Sequence, residues 1–162
     1  MRIDLRTRTA EDTRSVGRAI ADLLRAGDAV ILTGELGAGK TTLVQGIARG
    51  LEVEGPVVSP TFTLIREYRG RLDVAHVDVY RLDRIQEVVD LGLDELGDGR
   101  AVLLVEWGDA VLELLPAEHL TIELTTTEGD DGSRRIAVQP EGPSWEERSE
   151  ALDRTLAPWS AP

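Results

Sequence analysis

Cysteine is absent from the 162 residues. That one absence excludes disulfides, zinc knuckles and thiol catalysis. Long apolar runs are missing too: none approaches the roughly 20 residues a membrane span needs. The opening MRIDLRTRTAED lacks an apolar signal core, so the expectation is a cytoplasmic protein. Basic charge is in short supply. The net charge is −12 and the isoelectric point about 4.6, whereas a chain that grips RNA or DNA unaided shows a basic footprint. If nucleic acid is involved, a partner does most of the holding. Lysine is the scarcest of all. Of 18 Lys and Arg side chains, Lys40 is the only lysine. It survives at the one position where a phosphate loop wants a slim, flexible ammonium rather than a planar guanidinium.

What is present is ordinary for a folded protein: 41% hydrophobic and 30% charged residues, in a length that fits one domain with room for a core. Residues 3–6 read as a short strand. TAEDTRSVGRAIADLLRAG has helical spacing through Val16, Ile20, Leu23 and Leu24, with Thr9 and Asp12 as a capping pair and Gly27 as a stop. AVILT reads as a buried strand, followed by a glycine-rich loop and a helix from Lys40 to Arg49 closed by Gly50.

Further on, VVSPTF reads as a loop, and TLIREYR with LDVAHVDVY as a hairpin around Gly70. RIQEVVDLGLDEL is helical and broken near Gly92. AVLLVEW is a second buried strand, and DAVLELL a short helix ending at Pro116. HLTIELTTT and RRIAVQP form a second hairpin around EGDDGS. Strands alternating with helices, opened by a strand–glycine loop–helix unit, predict an α/β fold. The architecture expected is the three-layer sandwich of phosphate-loop nucleoside triphosphatases, with a mixed, largely parallel central sheet. Residues 1–142 are read as one nucleotide-binding domain. Residues 143–162 are read as a carboxy-terminal tail, helical, whose Trp145 and Trp159 pack on the domain in preference to the other reading, a partner surface.

Gly34 to Thr41, GELGAGKT, satisfies G-x-x-x-x-G-K-[ST] without a mismatch. Glycines let the backbone wrap phosphate with its N–H groups, and the following helix directs its positive end at the same anion. Lys40 neutralises the β and γ phosphates in such a loop, and Thr41 offers its hydroxyl to Mg²⁺. Recognition of guanine needs an Asn/Thr-Lys-x-Asp loop, which a chain with one lysine cannot build. ATP is therefore preferred. DELG at 94–97 mimics a switch motif but lies in a helical stretch and is set aside.

Hydrolysis needs an acidic group near the metal and a group that positions water. Glu106 follows AVLLV and so emerges at the carboxyl end of a buried strand, where α/β sheets place ligands. Asp78 lies in AHVDVYR, where His76, Asp78 and Tyr80 share one strand face that is either solvent or a site. Thr61, in SPTFT, occupies the position of a threonine that senses the γ-phosphate in phosphate-loop switches, although turn chemistry explains it as well.

Together GELGAGKTTLVQG, SPTFTLIREY, HVDVYRL and LVEWGD resemble the bacterial tRNA threonylcarbamoyladenosine biosynthesis ATPase family, TsaE (YjeE). The likeness runs from about Glu11 to Trp107. Glu35 and Phe62 stand where some relatives have Asp and Tyr, both substitutions keeping the chemistry. The resemblance implies a small ATPase serving N6-threonylcarbamoyladenosine formation at tRNA position 37 by binding a TsaB–TsaD transferase complex and supporting its repeated turnover. It implies that Gly37, Ala38, Gly39, Lys40, Thr41 and Thr42 hold the triphosphate and that Thr41 and Glu106 coordinate Mg²⁺. Asp78 becomes the catalytic or water-orienting carboxylate and Thr61 the switch threonine. Glu11 and Thr13 align with residues beside the base, and Arg134 with an arginine that approaches the nucleotide. Arg134 reads equally as a solvated strand residue, and Trp107 equally as packing. Two other readings of the residues stand beside this one: a small-molecule kinase, and a nucleotide-gated binding module that does not hydrolyse.

Overall fold

The computed structural model describes residues 1–35, 37–58, 65–79, 90, 92, 99–106 and 112–162. Its strands are β1 (Ile3–Thr7), β2 (Ala29–Thr33), β3 (Ile65–Tyr68), β4 (Val74–Asp78), β5 (Val102–Glu106), β6 (His119–Thr127) and β7 (Asp130–Glu141). The helices are α1 (Ala10–Ala21), α2 (Lys40–Gly50), α3 (Pro143–Glu146) and α4 (Ser149–Leu156), followed by a 3-10 turn at Ala157–Trp159.

The strands form one sheet in the order β1-β7-β6-β2-β5-β4-β3. Its centre is parallel: β2 pairs with β5 and β6, and β4 with β5. Antiparallel pairs flank that centre, β3 with β4 on one side and β7 with β6 and β1 on the other. The fold is therefore α/β with a mixed sheet, as the alternation of elements predicts. The uninterrupted apolar stretch of β2 follows from its place, because a central parallel strand is covered on both faces. Val30 and Leu32 enter the larger core with α1, α2, α4 and Trp145. Ala29 and Ile31 enter a second cluster with Ala75, Val77, Leu103, Val105 and Leu115 on the opposite face.

Helices α1 and α2 approach each other closely because glycine lines their contact. A Cβ on Gly46 would run into the carbonyl of Arg14 and stand 2.7 Å from its Cα, and one on Gly17 would stand 2.8 Å from the nitrogen of Ile47. The packing holds the amino end of α2 against the carboxyl ends of the central strands.

Two boundaries differ from the sequence expectation. α1 stops at Ala21 although the apolar spacing continues through Leu23 and Leu24. The chain turns out by shorter bonds, Leu23 N to Ile20 O and Leu24 N to Ala21 O. Arg148 then takes the carbonyl of Leu23 and binds both carboxylate oxygens of Asp28 at 2.6 and 3.0 Å. The second hairpin is also tighter than EGDDGS suggests. Thr127 pairs with Asp130, so only Glu128 and Gly129 form the turn and Asp130–Ser133 belong to β7. Ser133 donates its hydroxyl to Asp130 at 2.7 Å, a side-chain bond that ties down the start of this strand.

The carboxy-terminal segment shares the main core. Trp145, Leu152 and Leu156 are buried there, with the Arg148 guanidinium 3.8 Å from the Trp145 ring centroid. Ser160 bridges to Leu5, and Ala161 N donates to Asp4 O, which occupies part of the free edge of β1. The helix expected over RIQEVVDLGLDEL falls mostly outside the described residues. Of DAVLELL, residues 112–114 form a 3-10 turn.

Candidate nucleotide site

The amino end of α2 is built differently from that of α1. α1 begins conventionally: Thr9 accepts from Asp12 N, and Glu11 and Asp12 place negative charge in the first turn. α2 has Gly39 at its cap, with no side-chain cap and no acidic residue in the first turn. Gly39 has φ 103°, a left-handed conformation that a side chain would strain. The first N–H groups of a helix have no intrahelical partner, and here no carboxylate or hydroxyl from the cap competes for them. Positive side chains gather instead. Lys40 donates to Gly34 O at 2.6 Å and Glu35 O at 2.9 Å. Arg134 reaches across from β7 and donates to Ala38 O at 2.9 Å and Gly37 O at 3.3 Å. The arginine of the second hairpin thus braces the glycine loop, which a merely solvated strand residue would not do.

Carboxylates gather at the carboxyl ends of β4 and β5. Glu106 ends β5 and is only 3% exposed. The Thr41 hydroxyl lies 3.2 and 3.3 Å from its two oxygens, so the first turn of α2 is bonded to the end of β5. Asp78 ends β4, half-buried, in direct register with Glu106. Val74 and Leu104 lie on the α1–α2 side of the sheet, and period-2 alternation places His76, Asp78 and Glu106 on that side as well.

A cavity of about 60 Å³ lies beside the loop, lined by Ala10, Thr13, Gly39, Thr42, Asp131, Gly132 and Arg134. It brings Thr13 together with Thr42 and Arg134. The Thr13 hydroxyl is itself engaged, 2.9 Å from Thr7 Oγ1. Glu11 does not line this cavity and pairs with Arg14 and Arg49 at 3.3 and 3.5 Å. Thr61 and Trp107 lie outside the described residues.

One residue of the site was given no role from the sequence. His76 is fully buried, and its Nε2 lies 2.5 Å from Glu106 Oε2. Alternation along AHVDVYR placed it on the face of Asp78, but only the folded chain brings Glu106, thirty residues later, against its ring.

The arrangement offers a helix start with no side-chain cap and two cations for an anion, next to carboxylates and a hydroxyl suited to a hard cation. Comparison with known proteins places the chain in a family. Residues 7–136 match the family model described as threonylcarbamoyl adenosine biosynthesis protein TsaE. The tRNA threonylcarbamoyladenosine biosynthesis protein TsaE of Bacillus subtilis is 43% identical over 150 residues, covering 92% of each chain. Its namesake in Treponema pallidum is 42% identical over 132 residues, covering 82% of this chain and 96% of the relative. The crystal structure of Bacillus subtilis YdiB superposes with a TM-score of 0.81 at 39% identity, covering 95% of each chain. The chain belongs to the TsaE family of threonylcarbamoyl adenosine biosynthesis proteins.

Proposed function

We propose that this protein binds ATP with Mg²⁺ at the amino end of α2 and hydrolyses it to support tRNA N6-threonylcarbamoyladenosine formation. The observation that carries this reading is the contrast between the two helix starts. α1 is capped and acidic, whereas α2 is uncapped, free of acid and served by Lys40 and Arg134. An anion stabilises such a terminus, and a triphosphate meets several donors at once.

The donor set also fits a cation. Among the described residues, no group of three or more His, Cys, Asp or Glu side chains is placed to hold a metal. Mg²⁺ commonly takes one or two protein oxygens and completes its shell with phosphate and water. Thr41 and Glu106, already bonded to each other, would hold it through their oxygens, and a cation bound there would supply charge neutralisation for phosphoryl transfer. Gly37 to Thr42 cradle the phosphates through their N–H groups, and Lys40 exchanges loop carbonyls for phosphate oxygens. Asp78, beside Glu106 at the strand ends, holds and orients the attacking water. Arg134 and Thr13 line the nucleoside side of the loop, with Glu11 on the neighbouring first turn of α1. Thr61 serves as the switch threonine of the SPTFT segment.

A net charge of −12 makes the chain a poor holder of tRNA by itself. It suits a protein that docks on a TsaB–TsaD-type transferase complex and reaches tRNA through it, in the cytoplasm. Calorimetric titration with ATP and GTP, with and without Mg²⁺, tests the binding half of this reading. The expected result is Mg²⁺-dependent binding of ATP in preference to GTP, abolished by Lys40→Ala. Binding that survives Lys40→Ala unchanged would refute the site.

A further inference from the structure

We infer that His76 is a positioning residue for Glu106, holding the carboxylate in the orientation in which it and Thr41 receive the nucleotide's divalent cation. This rests on the magnesium–nucleotide reading above and adds to it a residue acting beneath the binding surface.

The imidazole is fully buried in the middle of β4, in register with Leu104. Its two nitrogens have opposite situations. Nε2 lies against Glu106 Oε2, whereas Nδ1 is a buried polar atom that meets no donor or acceptor among the described residues. That asymmetry assigns the tautomer. A hydrogen on Nδ1 would have no acceptor and would turn the Nε2 lone pair toward a carboxylate oxygen. A hydrogen on Nε2 instead lets the ring donate to Glu106, and Nδ1 is then left as a bare acceptor.

An unmatched nitrogen in an interior costs stability that an apolar side chain of similar volume would not. The bond to Glu106 is the ring's one polar contact among the described residues. It also reaches the carboxylate differently from Thr41. The Thr41 hydroxyl is nearly equidistant from both carboxylate oxygens, so by itself it does not fix the plane of the group. His76 takes one oxygen from the sheet side. It thereby fixes the rotation of the carboxylate and leaves Oε1 the less engaged oxygen. Metal-ligating carboxylates depend on such outer partners, and their loss costs about 10- to 100-fold in metal affinity.

The test uses the full chain with ADP and Mn²⁺ as the probe, Mn²⁺ binding being read by electron paramagnetic resonance and ADP binding by calorimetry in chelator. His76→Leu removes the donor, His76→Asn places an amide near the Nδ1 position, and His76→Gln places one near Nε2. Expected is a loss of about 10- to 100-fold in Mn²⁺ affinity for Leu and Asn. Metal-free ADP affinity should be retained, and most of the Mn²⁺ affinity restored in Gln. In a Glu106→Gln background, His76→Leu should add no further loss. Wild-type Mn²⁺ affinity in the Leu and Asn variants would overturn the positioning role, and so would a parallel fall of Mn²⁺ affinity, ADP affinity and melting temperature in all three. If His76→Leu fails to fold, the contrast between Asn and Gln decides. A wild-type protein that takes up no ADP would sink the nucleotide reading itself, a result distinct from the others.

Discussion

Asp78 and Glu106 close neighbouring parallel strands at the same register, each the Cα partner of the other. Two carboxylates from different segments therefore stand side by side at the end of the sheet that faces the glycine loop. Their surroundings divide the labour. Glu106 is buried and bonded to Thr41 and His76, whereas Asp78 is half-buried at the strand end. The variants should separate accordingly. Asp78→Asn should bind magnesium nucleotide normally and lose about 10²- to 10⁴-fold in single-turnover hydrolysis, the usual range for a group handling the attacking water. Glu106→Gln should mainly weaken the Mg²⁺ dependence of binding. Titration and rapid-quench hydrolysis on the same preparations compare the two.

Arg134 should matter to affinity more than to folding. Its guanidinium bonds the Ala38 and Gly37 carbonyls, so Arg134→Ala frees the loop to sample other shapes before ATP arrives. A charged hydrogen bond contributes about 1.5–3 kcal/mol, so ATP binding should weaken about tenfold or more. Arg134→Lys should not rescue it, because the two carbonyls are met by different nitrogens of one planar fork. Calorimetry with ATP and a melting curve separate affinity from stability.

Gly46→Ala should destabilise despite alanine's better helix propensity. The propensity gain is about 1 kcal/mol, whereas the new methyl meets the Arg14 backbone and overpacking costs about 1–3 kcal/mol or more. Backbone cannot swing aside as a side chain can, so the steric cost wins. A net loss of up to about 2 kcal/mol in urea unfolding is expected.

How much of this was legible in the sequence depends on the range of the forces involved. β2 and the loop before α2 were legible because local chemistry decides them: an apolar strand, glycines, and one lysine. The end of α1 was not, because Leu23 gives its carbonyl to Arg148, 125 residues away. EGDDGS reads as a loop by composition, yet Asp130–Ser133 pair in β7 once the register with β6 is set. Within the site, Glu106 could be placed at a strand end from its apolar run alone. The role of His76 could not, because alternation shows which face a residue occupies and not what covers it. Arg134 was ambiguous for the same reason, since its bonds to the loop join segments 96 and 97 residues apart.

The Asp28–Arg148 pair fastens the carboxy-terminal helices to the turn after α1, with both side chains largely buried. Asp28→Ala leaves a buried guanidinium with its remaining partners at Ser144 and Leu23. Breaking a buried pair from one side costs about 3–5 kcal/mol, and those residual bonds place this variant at the lower end, about 3 kcal/mol. Hydrogen exchange should show the loss concentrated in α3 and α4.

At the tip of the second hairpin, the Ser133 hydroxyl holds the Asp130 carboxyl below its ordinary pKa, helped by the Ser133 and Gly132 backbone N–H groups. A lowered folded-state pKa contributes stability that is present above the unfolded pKa and lost as pH falls through the folded one. Ser133→Ala should therefore raise the Asp130 pKa. It should show a stability deficit at neutral pH that disappears in acid. A carboxylate NMR titration of wild type and variant, with melting curves across the acid range, checks both.

The central claim is that the site hydrolyses ATP in the service of a partner. It is tested most directly by measuring ATP hydrolysis by the purified protein, alone and with a TsaB–TsaD-type complex, alongside Asp78→Ala. Weak hydrolysis alone, raised by the complex and lost in the variant, is the predicted result. Rapid partner-free turnover that depends on a small acceptor would contradict the account and make the protein a kinase. Nucleotide-dependent association without any hydrolysis would contradict it equally and leave a gated binding module.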